Sequence, residues 1–240
     1  HMLFVGCDLA AASYKLLTAV RDYLPDNCGF DKDKLLISAI HTHASFSYAD
    51  RSDGFSSALK ALTELMPEGV KYSPRVADDS ADIIRGEEAK QFLIERIAKA
   101  AMEAWNNRAE GAYAAGFGRA AVGMCRRVCY DDGSAKMWGN SNTANFTELE
   151  AGNDGGIEML FTYDQNKKLT GVVANVACPA QVLEHRNFIS SDYMGKVKRN
   201  LREKFGKDIN FLGLIAPAGD QCPRDLVRWV DPETPIDDPN

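Results

Sequence analysis

Strand-like and helix-like segments alternate along this sequence, and that alternation constrains the fold more than any other feature. Residues 3–8 form a short apolar run, residues 11–24 repeat apolar side chains at helical spacing, and residues 34–40 form a second apolar run. Residues 157–163 and 169–177 are two further strand-like runs, and residues 209–216 are the last. The sequence therefore predicts an α/β fold with a mixed β-sheet flanked by helices.

Three other segments have helical patterns, at residues 56–66, 87–105 and 193–205. The second is the most strongly amphipathic, and its expected buried stripe is Phe92, Leu93, Ile97, Ala100, Ala101 and Ala104. The third follows a cap at Ser191-Asp192 and ends at Gly206. Between them, Asp131-Asp132-Gly133 predicts a hairpin turn, while residues 67–86 and 139–156 are expected to be long connections.

The composition is that of a globular domain, with 45% apolar and 26% charged residues. Lysines and arginines are scattered and the net charge is −6, which argues against a nucleic acid partner. No apolar run approaches the roughly 20 residues of a membrane-spanning helix. Six widely spaced cysteines without a Cys-x-x-Cys pair predict free thiols, and the spacing of Cys125 and Cys129 does not match a structural zinc site.

The ends of the chain predict a single truncated domain of catalytic type. His1-Met2 is typical of a cloning scar, and the apolar run begins directly after it. We expect the domain to span residues 3–229, with residues 230–240 as a linker or terminus because they are rich in proline and acidic residues. A native leader would be missing from such a piece, so the sequence predicts no compartment.

The motif His41-Thr42-His43 holds two of the four histidines and directly follows a predicted strand. Functional side chains of open α/β sheets lie just beyond the carboxyl ends of strands. In extended backbone, residues i and i+2 point to the same side, so both imidazoles can reach one metal ion or one substrate group. The alternative is that both are polar loop residues with local hydrogen bonds only.

The surroundings of this motif resemble the N-terminal domain of the neutral/alkaline non-lysosomal ceramidases. The run Ile37-Ser38-Ala39-Ile40-His41-Thr42-His43 is similar to the family's Ile-Ser-Ala-Thr-His-Thr-His. Three later segments follow in the family's order: Cys125-Arg126-Arg127 for Asn-Arg-Ser/Arg, Ser191-Asp192-Tyr193-Met194-Gly195 for Ser-Asp-Asn-x-Gly, and Gly219-Asp220-Gln221-Cys222-Pro223 for Gly-Asp-x-Ser-Pro. The resemblance covers nearly the whole chain.

This resemblance implies a zinc-dependent hydrolase of an amide or a related bond, with a small-molecule, lipid-like or glycan-like substrate. His41 matches the first zinc ligand of the family, and His43 is expected to be a second ligand or a substrate contact. By motif position Arg126 would orient the substrate, although a solvated surface pair with Arg127 is the alternative. Asp220 would organise the loops of the catalytic site, and a glutamate and a tyrosine ligand would lie beyond residue 240.

The sequence departs from the family where the family's second zinc-binding histidine stands. Alignment on Pro179 puts Cys178 there, either as a thiolate ligand or as a buried, inert thiol. His185 could supply the missing imidazole, or it could be an exposed loop residue. Asp192 could cap the helix that follows it or enter the site.

Three hypotheses therefore remain. The first is a metal-assisted hydrolase that uses His41, His43 and either Cys178 or His185. The second is a non-catalytic binding or scaffold domain that has lost the metal site. The third is a cysteine nucleophile, Cys178, activated by His43 or His185. It ranks last because Pro179 disfavours a helix that starts at once after the cysteine and lowers its pKa.

Overall fold

A strand–helix–strand unit opens the computed structural model, which describes residues 1–48, 84, 86–184 and 186–227. Strand β1 (Leu3–Cys7), helix α1 (Tyr14–Tyr23) and strand β2 (Leu35–Ala39) occupy the predicted positions. Strands β1 and β2 pair in parallel. Helix α1 begins after Ser13, whose hydroxyl accepts a hydrogen bond from the Leu16 N–H (3.2 Å).

The long amphipathic helix α2 (Gly86–Asn106) covers this unit. Its buried residues are Ala89, Leu93, Ile94, Ile97, Ala98 and Ala101. Leu16 and Val20 of α1 belong to the same core cluster. The predicted stripe was wrong at Phe92, Ala100 and Ala104, which are exposed. Phe92 instead lies at the edge of this core, where its ring contacts the ring of Phe46.

The rest of the described chain contains nine strands and one helix. In chain order they are β3 (Gly111–Arg119), β4 (Met124–Cys125), β5 (Arg127–Tyr130), β6 (Ala135–Met137), β7 (Phe146–Leu149), β8 (Gly156–Asp164), β9 (Leu169–Val176), helix α3 (Asp192–Phe205), β10 (Asn210–Ile215) and β11 (Gln221–Cys222). The largest sheet has the order β10-β9-β8-β3. Strands β9 and β10 are parallel and the other pairs are antiparallel, which confirms the predicted mixed sheet.

Helix α3 is the crossover between the parallel strands β9 and β10. Met194 of this helix lies directly over Gly213 of β10, where a Cβ atom would be only 2.7 Å from the methionine sulfur. The absence of a side chain at Gly213 therefore allows the helix to approach the sheet. The helix ends at Gly206, whose φ of 106° favours glycine.

Two small sheets complete the described fold. Strands β6, β5 and β7 form one, and β11 and β4 form the other. Strands β5 and β6 are joined by the predicted hairpin turn, with Gly133 at a φ of 78°. The prediction of a continuous loop over residues 139–156 was wrong, because β7 lies within it and pairs with β5. Strand β7 has only four residues and lies among polar residues, so the sequence alone does not indicate a strand there.

The carboxyl ends of three strands meet at one place. Beyond β2 and β9, the carbonyl of Ile40 accepts a hydrogen bond from the Ala180 N–H (3.2 Å). Beyond β10, the N–H of Ala216 donates to the carbonyl of Val176 (3.0 Å). The segments that follow β2, β9 and β10 are therefore held together, and they carry the polar residues described below.

Some predictions fall on residues that the structure does not describe. They are the helix at 56–66, nearly all of the connection at 67–86, the segment at 230–240, and His185. Among the described helices, none combines the length and the apolar character needed to cross a membrane.

Candidate functional site

His41 stands just past the end of β2 and has an unusual backbone conformation. Its φ is 61°, in the left-handed region that non-glycine residues rarely adopt. The Nδ1 atom lies 2.6 Å from the carbonyl oxygen of Ala10. A carbonyl can only accept, so we assign the proton of the neutral ring to Nδ1, which leaves Nε2 with its lone pair.

The ring of His43 lies against the ring of His41. The ring centroids are 4.8 Å apart in an edge-to-face arrangement, and the two Nε2 atoms are separated by 3.2 Å. On the other side of the His43 ring, Nδ1 is 3.4 Å from a carboxylate oxygen of Glu184. The motif therefore brings both imidazoles together at one point.

The side chain of Gln181 fixes the tautomer of His43. Its Oε1 accepts a hydrogen bond from Arg126 Nη1 (3.4 Å), so its amide nitrogen points at His43 Nε2, at 2.8 Å. Because an amide NH2 only donates, His43 Nε2 accepts and Nδ1–H donates to Glu184. The single in-plane lone pair of His43 Nε2 is then directed at the Gln181 amide, and the Nε2 atom of His41 lies 3.2 Å away. An ion bound to both Nε2 atoms would take the place of the Gln181 hydrogen bond at His43. The outward Nδ1 contacts with a carbonyl and a carboxylate are of the kind that orients histidine ligands in metal sites.

Thr42 anchors the motif from the opposite side. It is fully buried, and its hydroxyl donates to the carbonyl of Ser190 (2.8 Å) and accepts from the N–H of Ala44 (3.2 Å). The N–H of Ser190 in turn donates to the Ala44 carbonyl (2.7 Å). The histidines are thus tied to the segment that leads into α3.

Two arginines and a tryptophan lie next to Gln181 and Glu184, the two residues that contact His43. The guanidinium carbon of Arg126 is 5.4 Å from the Trp138 ring centroid, and that of Arg224 is 5.9 Å from it. Arg224 also lies 3.8 Å from the buried carboxylate of Glu184, and Arg126 donates to the Gly219 carbonyl (2.8 Å). The positive charges therefore compensate the Glu184 carboxylate and position Gln181.

A cavity of about 440 Å³ opens beside this network. Both His41 and Arg126 line it, and most of the remaining wall is made of small side chains such as Ala10, Ala39 and Ala218. A ligand in this cavity can contact one imidazole and one guanidinium while its apolar parts lie against alanine. The cavity suits a molecule with a carbonyl or an anionic group.

Cys178 is part of the protein core. Its side chain is completely buried, and burial raises the pKa of its thiol to about 12. The thiol contacts the Pro179 carbonyl (3.5 Å), and the Tyr193 hydroxyl donates to the Cys178 carbonyl (2.7 Å). The described contacts do not join Cys178 to His41 or His43. All six cysteines have free thiols.

The two candidate aspartates serve the backbone around the site. The Asp192 carboxylate accepts hydrogen bonds from the N–H groups of Leu183 (2.7 Å) and Tyr193 (2.6 Å). It therefore ties the segment after β9 to the first turn of α3. Asp220 accepts a hydrogen bond from the Arg126 N–H (2.8 Å) through its own carbonyl. Each residue thus holds a loop that carries a residue of the site.

Sequence reasoning missed Gln181 and assigned no role to Glu184 or Arg224. Gln181 and Glu184 follow β9 closely, at the strand end next to that of β2 in space. The rule that functional side chains follow the carboxyl ends of strands could have found both. No local pattern predicts Arg224, because its contact with Glu184 depends on the path of the chain after β11.

Comparison with known proteins shows the fold. No family model matches the chain, and a search of curated proteins found no match. A neutral ceramidase from Pseudomonas aeruginosa superimposes with a TM-score of 0.59 at 18% identity, over 98% of this chain and 33% of that protein. A structure described as a ceramidase complexed with C2 gives the same TM-score and identity, over 92% of this chain and 30% of that one. The chain spans about a third of the length of these structural neighbours, and it has the fold of that part of the neutral ceramidases.

Proposed function

We propose that the chain carries the metal-binding part of a ceramidase-like hydrolase that cleaves an amide or a related bond. The observation that carries the proposal is the histidine pair, with two Nε2 atoms 3.2 Å apart and both Nδ1 atoms directed outward to acceptors. The fold of the neutral ceramidases supports it, as does the cavity that adjoins His41.

The donor set fits zinc, for which neutral imidazole is a common ligand. His41 and His43 would hold the ion, and the contact between His43 and Glu184 has the form of a carboxylate–histidine–metal triad. Among the described residues, no group of three histidine, cysteine, aspartate or glutamate side chains could hold a metal ion. The remaining ligands would then come from elsewhere, as the family resemblance implies. A zinc ion bound there would supply Lewis-acid polarisation of the scissile carbonyl and a water of lowered pKa.

The residues of the chain itself would bind and orient the substrate. Arg126 lines the cavity and is held by Gln181, by the Gly219 carbonyl and by the Trp138 ring, so its guanidinium has a fixed direction. A guanidinium in that place can hold a carbonyl or carboxylate oxygen. The alanine wall would accept a narrow apolar part of the substrate, and we expect amides and esters with small groups next to the scissile bond.

A binding domain without a metal is the second candidate. It is favoured by the state of Cys178, which aligns with a zinc-binding histidine of the family. Its thiol is completely buried, and its described contact is with the Pro179 carbonyl and not with the histidine pair. On this alternative the histidine pair and Arg126 would bind a carbonyl-containing or anionic ligand without cleaving it.

Zinc binding by the chain, purified without chelator, distinguishes the two candidates. Elemental analysis and calorimetric titration should find one zinc per chain, lost in His41→Ala and His43→Ala, with the fold checked by circular dichroism. His1→Ala is the matched control, because His1 contacts the Trp105 ring and not the histidine pair. A folded wild-type chain that binds no added zinc would mean that the two histidines alone do not hold the ion, and the binding-domain candidate would then be favoured. If zinc binds, amides and esters are then screened for hydrolysis.

A further inference from the structure

A second cavity, of about 530 Å³, lies on helix α3. It shares no lining residue with the cavity beside His41. Most of its wall consists of four basic side chains, those of Lys198, Arg199, Arg202 and Lys207. We call this cavity the α3 pocket. Its volume is in the range of pockets that bind small molecules.

The periodicity of α3 brings the basic side chains of the pocket together. Arg202 is four residues after Lys198 and three after Arg199, so the three side chains are neighbours on the helix surface. Lys207 joins them after the chain turns at Gly206. Like charges at this spacing repel one another, and an anion between them would relieve the repulsion.

The acidic groups near the pocket do not neutralise it. Among the described residues that line it, Glu203 is the one acid, and Asp8 interacts electrostatically with Lys198 from outside the lining. The ion pairs in the described part of the chain involve other residues than the four basic ones of the pocket. The α3 pocket therefore keeps an excess of positive charge.

A hydroxyl donor completes the wall of the pocket. Ser191 precedes α3, but its side chain makes no capping hydrogen bond to the helix, so the hydroxyl can donate to a ligand. Gly195 gives this hydroxyl its space, because a Cβ atom at Gly195 would overlap the Ser191 Oγ atom. A hydroxyl among guanidinium and ammonium groups is a donor set that suits phosphate oxygens.

From this donor set we propose that the α3 pocket binds a phosphate group. The two guanidinium groups can each hold two phosphate oxygens, and the lysines add charge. The phosphate could belong to a small molecule or to a lipid headgroup. The second source is considered because Phe188 and Ile189, just before Ser191, are 54% and 73% exposed and would be covered by a lipid surface. The proposal is independent of the proposed function, since the α3 pocket contains none of the histidine network.

Calorimetric titration of the full chain with pyrophosphate at low ionic strength tests the soluble source. The wild type should bind one pyrophosphate, and Arg199→Gln and Arg202→Gln should each weaken binding about tenfold or more, because each removes charged hydrogen bonds. Lys196→Gln is the matched control, since Lys196 is an exposed cation of the same helix that does not line the pocket. It removes the same charge and should bind within about twofold of the wild type. Circular dichroism checks the fold of each variant.

Flotation with phosphatidylcholine vesicles that contain phosphatidate tests the lipid source, with pure phosphatidylcholine vesicles as background. Binding of pyrophosphate supports the proposal with a soluble ligand. Binding to phosphatidate vesicles alone, lost in Arg202→Gln and kept in Lys196→Gln, supports it with a lipid headgroup. The proposal is overturned if neither probe binds. It is also overturned if Lys196→Gln loses as much affinity as Arg202→Gln, because the anion would then respond to the general charge of the helix and not to the pocket.

Discussion

The histidine pair and Cys178 occupy equivalent places in the topology but have opposite surroundings. His41 follows β2 and Cys178 follows β9, and the segments beyond these strands are hydrogen-bonded through Ile40 and Ala180. The side chain of His43 is 37% exposed, whereas that of Cys178 is completely buried. A position beyond a strand end is therefore not sufficient for chemistry. Burial decides whether the side chain there can bind or react.

The difference in burial depends on which side chain of each segment packs into the core. After β2 it is Thr42 that turns inward, so the two histidines on either side of it remain near the surface. After β9 it is Cys178 itself that packs inward, in a cluster with Ile40, Ala180 and Met194. Gly123 packs closely against it, since a Cβ atom at Gly123 would lie 3.2 Å from the Cys178 Cβ. The cysteine thus fills a space with little room for a larger side chain.

Replacement of Cys178 by histidine tests this contrast most strongly. The larger ring would overpack a completely buried position and bring polar atoms into the core. Each effect costs about 1–3 kcal/mol, so we expect the free energy of unfolding to fall by roughly 3 kcal/mol. Urea denaturation measures this change, with Cys178→Ala as the milder control. If Cys178→His keeps wild-type stability and binds zinc more tightly, then Cys178 belongs to the metal site and the contrast is wrong.

The substitution Glu184→Gln tests the histidine pair, which is the more exposed member of this comparison. Its carboxylate lies 3.4 Å from His43 Nδ1, and an amide there would keep the shape but lose the charge that raises the basicity of the ring. We expect zinc affinity to fall about tenfold or more, as measured by competition with a chromogenic chelator. Glu203→Gln on the exposed part of α3 is the control and should bind zinc as the wild type does. Equal affinity of Glu184→Gln and wild type would mean that Glu184 does not act on a bound metal.

Local patterns predicted most elements of the fold but only part of the site. The strands β1, β2, β8, β9 and β10 are apolar runs, and α1, α2 and α3 have helical periodicity, so each is encoded in adjacent residues. The spacing of the two histidines predicted that their rings lie close together, but that prediction assumed extended backbone and His41 is in the left-handed region. The contacts of His43 with Gln181 and Glu184 join residues about 140 positions apart, and no local pattern encodes them. Strand β7 was missed because a four-residue strand in a polar segment is defined by its partner.

The pH dependence of stability tests the burial of Cys178 directly. Burial raises the pKa of this thiol from 9.0 to about 12, so the folded state keeps a proton that the unfolded state has lost. Below pH 9 both states are protonated and the thiol adds no pH dependence. Above pH 9 unfolding releases a proton, and the free energy of unfolding falls by at most about 1.4 kcal/mol per pH unit.

Urea denaturation of wild type and Cys178→Ala at pH 8 to 10.5 isolates this contribution, because the other titrating groups are common to both. We expect the stability of the wild type to decrease more steeply than that of Cys178→Ala. Parallel curves would mean that the thiol ionises as readily in the folded protein as in the unfolded chain, and Cys178 would then be open to a metal ion after all.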